Sequence, residues 1–196
     1  MKKCAAEFVG TLVLTVAVSL AILYELPLSV PVIAALTLGL FVYTVGPVSG
    51  AHLNPAVTIG LWSVRKISDA DAARYVAAQV LGALGALFLV KLLVGHPLAV
   101  GVEDTVLVGV VEAAGAFLLT FGVSAVAYGK AAEEASGLIV GGSLLLGALF
   151  ASVEGNGVVN PAVAVGIGSL SLMYIIGPLI GGVLAAQLYN ALAAKK

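Results

Sequence analysis

Six apolar runs decide what this chain can fold into. They cover residues 5–24, 30–46, 73–95, 105–128, 136–152 and 170–192, and the only charges inside them are Glu7, Arg74, Lys91 and Glu112. An α-helix rises about 1.5 Å per residue, so roughly 20 residues cross the ~30 Å hydrocarbon core of a bilayer. Each run reads as a transmembrane helix, and the chain as an all-α membrane protein. Composition points the same way, with 61% hydrophobic and 10% charged residues, where soluble domains carry about 25% charged. A water-soluble globular enzyme is excluded, and so is disorder, which needs far more charge. A net charge of -1 with 9 basic residues excludes a nucleic-acid binder. The single cysteine, Cys4, permits neither an intrachain disulfide nor a cysteine-only metal site. No nucleotide loop, cofactor motif or metal-ligand cluster is present, so no cofactor is expected.

The start, Met1-Lys2-Lys3 before an apolar run, has the outline of a signal peptide. Glu7 falls where the apolar centre should begin, and no small-x-small cleavage site precedes a soluble remainder. The segment reads as a retained first span.

Two shorter apolar pieces, 54–62 and 160–168, remain. Helices of that length reach only ~14 Å, about half a bilayer. If piece 54–62 dips in and returns, Lys2, Lys3, Arg65, Lys66, Arg74, Lys130, Lys195 and Lys196 share one side, and only Lys91 lies opposite. The positive-inside rule makes that side cytoplasmic. The expectation is a multi-pass cell-membrane protein with both termini in the cytoplasm.

The chain also repeats itself. Glu7-Phe-Val-Gly10-Thr-Leu-Val-Leu14-Thr15 returns 105 residues later as Glu112-Ala-Ala-Gly115-Ala-Phe-Leu-Leu119-Thr120. Asn54-Pro55-Ala56-Val57 returns 106 residues later as Asn160-Pro161-Ala162-Val163. Repeat 1 spans about 1–100 and repeat 2 about 101–196, within one transmembrane domain covering 1–196. Each half has three spans, an odd number, so the second half is inverted and the functional site is expected near the midplane.

Asn is a good N-cap, and Pro suits the first helical position, where its missing N–H is not needed. Irregular backbone is expected before each motif, at 46–53 and 154–159. Such backbone is tolerated at membrane depth only where it is buried or lines a wet cavity. The two half-helix N-termini should therefore meet near the bilayer centre, each with about +0.5 charge. Asn54 and Asn160 can cap with the side-chain oxygen and still offer N–H donors to a lumen. That geometry suits neutral polar molecules and opposes cations and protons.

The segment Ser49-Gly50-Ala51-His52-Leu53-Asn54-Pro55-Ala56-Val57-Thr58, with Asn160-Pro161-Ala162, closely resembles the aquaporin and glycerol-facilitator family. The resemblance covers the whole chain and includes Glu7, Gln79 and Glu112. It implies six tilted helices, two half-helices, one pore per subunit and a homotetramer. It also implies two constrictions, one at the paired asparagines and one at an outer selectivity filter. At the filter the chain departs from the family. Val163 stands where the family usually has Arg, and spacing puts Ala34, Ala148 and Gly157 at the other filter positions. Neither the water-selective pattern nor the glycerol-conducting one is present.

Ionisable residues inside spans often mark relays. The repeat favours another role for Glu7 and Glu112, as anchors accepting from loop N–H groups. His52 reads the same way, as a residue that positions the first loop. The expected function is passive passage of water and small uncharged solutes such as glycerol, ammonia or hydrogen peroxide, with ions and protons excluded and no enzymatic activity. The expected partners are the lipid bilayer, these solutes and further copies of the chain. An inverted-repeat secondary transporter is the alternative, and it would need a coupling-ion site at the midplane.

Overall fold

A computed structural model of the protein describes residues 1–24, 26–101 and 103–194, so Lys195 and Lys196 of the basic count lie outside the described residues. Among the described residues, six helical segments are long and apolar enough to span a membrane, the fifth counted from Glu133. They are α1 (Lys2–Tyr24), α2 (Val30–Ser49), α4 (Asp69–Val94), α5 (Val106–Ala127), α6 (Ser136–Ala151) and α8 (Met173–Ala193). Two short helices, α3 (Pro55–Ser63) and α7 (Pro161–Gly166), complete the fold, with a 3-10 turn at Glu133–Ala135 leading into α6.

Local signals set most of the boundaries. Ser68 caps α4 by accepting from the Asp71 N–H, which brings Asp69 and Asp71 into the first turn of a helix that begins ahead of the apolar run. Thr105 caps α5 in the same way through the Val108 N–H. Helix α4 ends at Gly95 with φ 87°, the left-handed conformation that glycine tolerates.

Two expectations are corrected. The irregular segment before α3 was expected from Gly46, but α2 continues through Pro47 to Ser49. Proline removes one hydrogen bond of the last turn, and the Gly50 N–H closes that turn onto Gly46 O at 2.8 Å. Within residues 46–53 only Gly50–Leu53 is non-helical. The second half-helix stops at Gly166 rather than continuing to 168. There Gly168 turns with φ 73° beneath the 98–99 segment, where a side chain would strike Leu98 O.

Helix α1 packs on α4 and α2, α5 packs on α8 and α6, and α2 meets α6. The short helices cross over. Helix α3 lies against α8 and α5, while α7 lies against α4 and α1. The long helices approach closely at small residues. A methyl group on Gly82 would strike Phe8 O, on Gly39 Gly137 O, and on Gly181 Ala113 O. Small residues are the usual device for helix packing in lipid. Large apolar side chains such as Leu36, Leu40, Phe88, Leu92, Leu146 and Leu184 stay exposed on the outer surface, as a lipid-facing surface requires.

Candidate functional site

The two half-helices meet at their N-termini, and the asparagines join them. Asn54 Oδ1 accepts from the Ala56 N–H at 2.8 Å, and Asn160 Oδ1 accepts from Ala162 and Val163 at 3.1 and 3.3 Å. Each amide nitrogen then reaches across to the other half. Asn54 Nδ2 donates to Val159 O and Asn160 Nδ2 to Leu53 O, both at 2.9 Å. The carbonyls that receive these bonds belong to residues in an unusual conformation, since Leu53 and Val159 both have φ 48°. Sequence reasoning assigned both N–H groups of each amide to the lumen. One is engaged by the opposite loop, and the other remains.

The glutamates grip the loops from behind. Glu7 Oε1 accepts from Ser49 Oγ at 2.7 Å and the His52 N–H at 3.0 Å, and Oε2 accepts from the Leu53 N–H at 2.7 Å and Gln79 Nε2 at 2.8 Å. Glu112 accepts from the Val158 N–H at 2.9 Å and the Val159 N–H at 2.6 Å. Both carboxylates are fully buried. His52 sits in the same network, with Nδ1 3.1 Å from Thr58 Oγ1, which also receives Gln79 Nε2 at 2.9 Å. Tyr75 packs edge-on against its ring, and the tyrosine hydroxyl donates to Ser49 O at 2.7 Å.

The repeated glycines make room for the loops. A methyl on Gly10 would strike the Leu53 side chain, and one on Gly115 the Val159 side chain. The repeated threonines reach the other half. The Thr15 methyl occupies the space beside Gly166 of α7, and the Thr120 methyl the space beside Gly60 of α3. The repeat Glu-x-x-Gly-x-x-x-x-Thr thus encodes an anchor, a clearance and a cross-contact.

A cavity of about 230 Å³ opens on the face opposite the N-terminus and ends at Asn160. All four filter positions line it: Ala34, Ala148, Gly157 and Val163. One wall is hydrocarbon, formed by Leu14, Val18, Ile22 and Val30, and the other carries Ser152, Asn156 and Asn160. Asn54 is buried below this floor. Sequence reasoning missed Ser152, Asn156 and Tyr174. The Tyr174 hydroxyl accepts from the Asn156 N–H at 2.7 Å and holds the second loop where the first half uses Gln79 and His52. None of the three belongs to a repeated motif, so no local signal marks them.

The chain matches the family described as Major intrinsic protein over residues 1–189. It is 34% identical over 173 residues to the aquaporin NIP1-1 of Zea mays, covering 82% of this chain and 61% of that one. It is 35% identical over 188 residues to the probable aquaporin AqpM of Archaeoglobus fulgidus, covering 81% and 74%. The chain spans 61% of the length of the Zea mays and rice relatives. Its fold is similar to that of the aquaglyceroporin from Plasmodium falciparum, with a TM-score of 0.72 over 96% of this chain and 95% of that one, at 21% identity.

Proposed function

The chain belongs to the major intrinsic protein family, and on that premise we propose that it is a passive channel for water and small uncharged solutes, not an enzyme. The observation that carries this reading is the cavity that ends on the amide of Asn160, at the junction of two half-helices. At that floor the free N–H of Asn160, and below it that of Asn54, donate to the oxygen of a passing water or hydroxyl. The surrounding apolar wall offers no competing partner. Proton and cation exclusion rests on these donors and on the partial positive charge of the helix starts. Ala34, Ala148, Gly157 and Val163 form a filter wider and less polar than one containing arginine. Glycerol, ammonia and hydrogen peroxide therefore accompany water.

The two halves act as inverted repeats, the pore runs through one subunit, and four subunits assemble with four separate pores. Both termini face the cytoplasm of a cell membrane, which the basic residues at one end support. Lys3 pairs with Asp71 at 3.5 Å, and Lys66 lies 3.7 Å over the Tyr128 ring at that same end. A coupled transporter would need a carboxylate free to bind an ion. The engagement of Glu7 and Glu112 by loop N–H groups argues against one.

The test is stopped-flow light scattering of proteoliposomes. Water flux well above that of protein-free liposomes, with no saturation and no dependence on an ion gradient, is the expected result. Flux equal to the lipid background, or flux that requires an ion gradient, would overturn the channel reading.

A further inference from the structure

At the mouth of the cavity the side-chain donors are all engaged and the acceptors are not. Ser152 lines the cavity one turn beyond Ala148, and its hydroxyl donates to Ala148 O at 2.7 Å. Its one proton is used, so the lone pairs of Oγ are what the cavity meets. Gly157 permits this placement, because a side chain there would strike Ser152 Oγ. Asn156 lines the same cavity, and its amide nitrogen donates to Gly101 O at 3.0 Å and to Ser169 Oγ at 3.4 Å. Both of its N–H groups are taken, while Oδ1 has no partner among the described residues.

The loop backbone has the same polarity. The Asn156 N–H turns to Tyr174, and those of Val158 and Val159 turn to Glu112. Among the described residues no hydrogen bond reaches the carbonyls of Asn156, Gly157 or Val158. Val163 brings no donor to this level, and the facing wall is hydrocarbon. The first side-chain donor below the mouth is the Asn160 amide at the floor.

We propose that Ser152 and Asn156 determine specificity. Together with the loop carbonyls they form an acceptor-only collar that selects solutes by the hydrogen-bond donors they carry. A neutral solute rich in N–H groups, of the urea and primary amide class, exchanges its water partners for collar oxygens as it enters. An acceptor-only solute of similar size loses its water partners and finds no replacement until the floor. An arginine at position 163 would supply donors at this level and remove the bias, so the bias is specific to a chain with valine there. The inference rests on the channel reading.

The experiment measures water, urea and dimethyl sulfoxide flux in proteoliposomes for the wild type, Ser152→Ala, Ser152→Thr and Asn156→Ala. The two solutes are of similar size, and only urea carries donors. The wild type should pass urea faster than dimethyl sulfoxide after subtraction of the lipid background. Ser152→Ala and Asn156→Ala should each lower urea flux by about 3–10-fold, the effect of one net hydrogen bond, with water and dimethyl sulfoxide little changed. Ser152→Thr, which keeps the acceptor, should restore urea flux. The collar is wrong if water flux is intact but urea does not exceed dimethyl sulfoxide in the wild type. It is also wrong if urea flux survives both alanine variants, or if both solutes fall together. Wild-type water flux at the lipid background would instead overturn the channel reading itself.

Discussion

Leu53 and Val159 hold a left-handed backbone that suits neither leucine nor a β-branched valine. Such strain costs of order 1–3 kcal/mol per residue and persists only where its surroundings enforce it. Here each residue is held twice. Its N–H is bound by a glutamate and its carbonyl by the asparagine of the other half. Hydrogen bonds to a charged group contribute about 1.5–3 kcal/mol and neutral ones about 0.5–1.5, enough to offset the strain. Replacing Glu7 by Gln turns one acceptor into a donor that faces existing donors. The expected outcome is a loss of about 1.5–3 kcal/mol, read as a lower unfolding temperature in detergent by circular dichroism, and an unchanged temperature would refute the anchoring role. Asn54→Asp and Asn160→Asp keep the cap oxygen but put negative charge where the helix ends are positive, and they set a carboxylate oxygen against a carbonyl. Both should raise cation conductance across planar bilayers, and cation exclusion preserved in both variants would refute the dipole account. The asparagine caps were legible because Asn-Pro is a local signal, and the glutamates because the repeat exposed them as a pair. The cross-bonds were not legible. They join residues 105 and 107 positions apart, and no local pattern records which carbonyl an amide will find.

Among the elements, the short helices owe their depth to clearances in the long ones. Gly10 and Gly115 leave room for the residues ahead of each asparagine. A methyl group at either site overpacks a closed interface, which costs typically 1–3 kcal/mol. Gly115→Ala should lower both thermal stability and water flux. Gly142→Ala, where a methyl meets nothing within 4 Å, should change neither, and equal behaviour of the two variants would refute the clearance argument. Helix α8 shows a different kind of support. Its start has no side-chain cap of its own, and Asp104 from the loop before α5 accepts the Met173 N–H at 3.0 Å. That bond holds the Asp104 carboxyl below the usual carboxylate range. A lowered folded pKa means the stabilisation is present above the unfolded value and is lost as pH falls through the lowered one. Amide exchange over the first turn of α8 should therefore quicken as the pH drops below the normal carboxylate range. Asp104→Asn should show fast exchange at neutral pH, and identical exchange in the two proteins would count against the cap. The number and order of the spans were legible from apolar runs, because a bilayer demands length. The ends at Ser49, Asp69 and Gly166 were less so, since capping, a proline in a last turn and a loop overhead set them.

At the scale of the whole molecule, elements from both ends of the chain close around the cavity that ends at Asn160, and large apolar side chains stay exposed on the outer surface. Light scattering of the detergent-solubilised protein should give the mass of four chains. A monomer with full permeability after reconstitution would show that assembly is not needed for conduction. The last expectation concerns position 163. Val163 stands in the first turn of α7, nearly buried, and lines the cavity above Asn160. With Ala34, Ala148 and Gly157 around it, the cavity keeps a volume of about 230 Å³, whereas liquid water takes about 30 Å³ per molecule. The cavity as a whole can therefore hold several waters that keep partners among themselves. Width admits a solute such as glycerol, while the missing donors raise the cost of stripping its hydration by about 0.5–1.5 kcal/mol per net hydrogen bond. Water escapes that cost because it need not shed its shell. Val163→Arg fills the cavity with a long side chain and adds donors and a positive charge. It should cut glycerol flux by at least tenfold and water flux by less, measured as paired fluxes in the same proteoliposomes. If the wild type passes water but not glycerol and the variant behaves alike, the wide-filter reading fails, and a side chain closer to the mouth sets the limiting width.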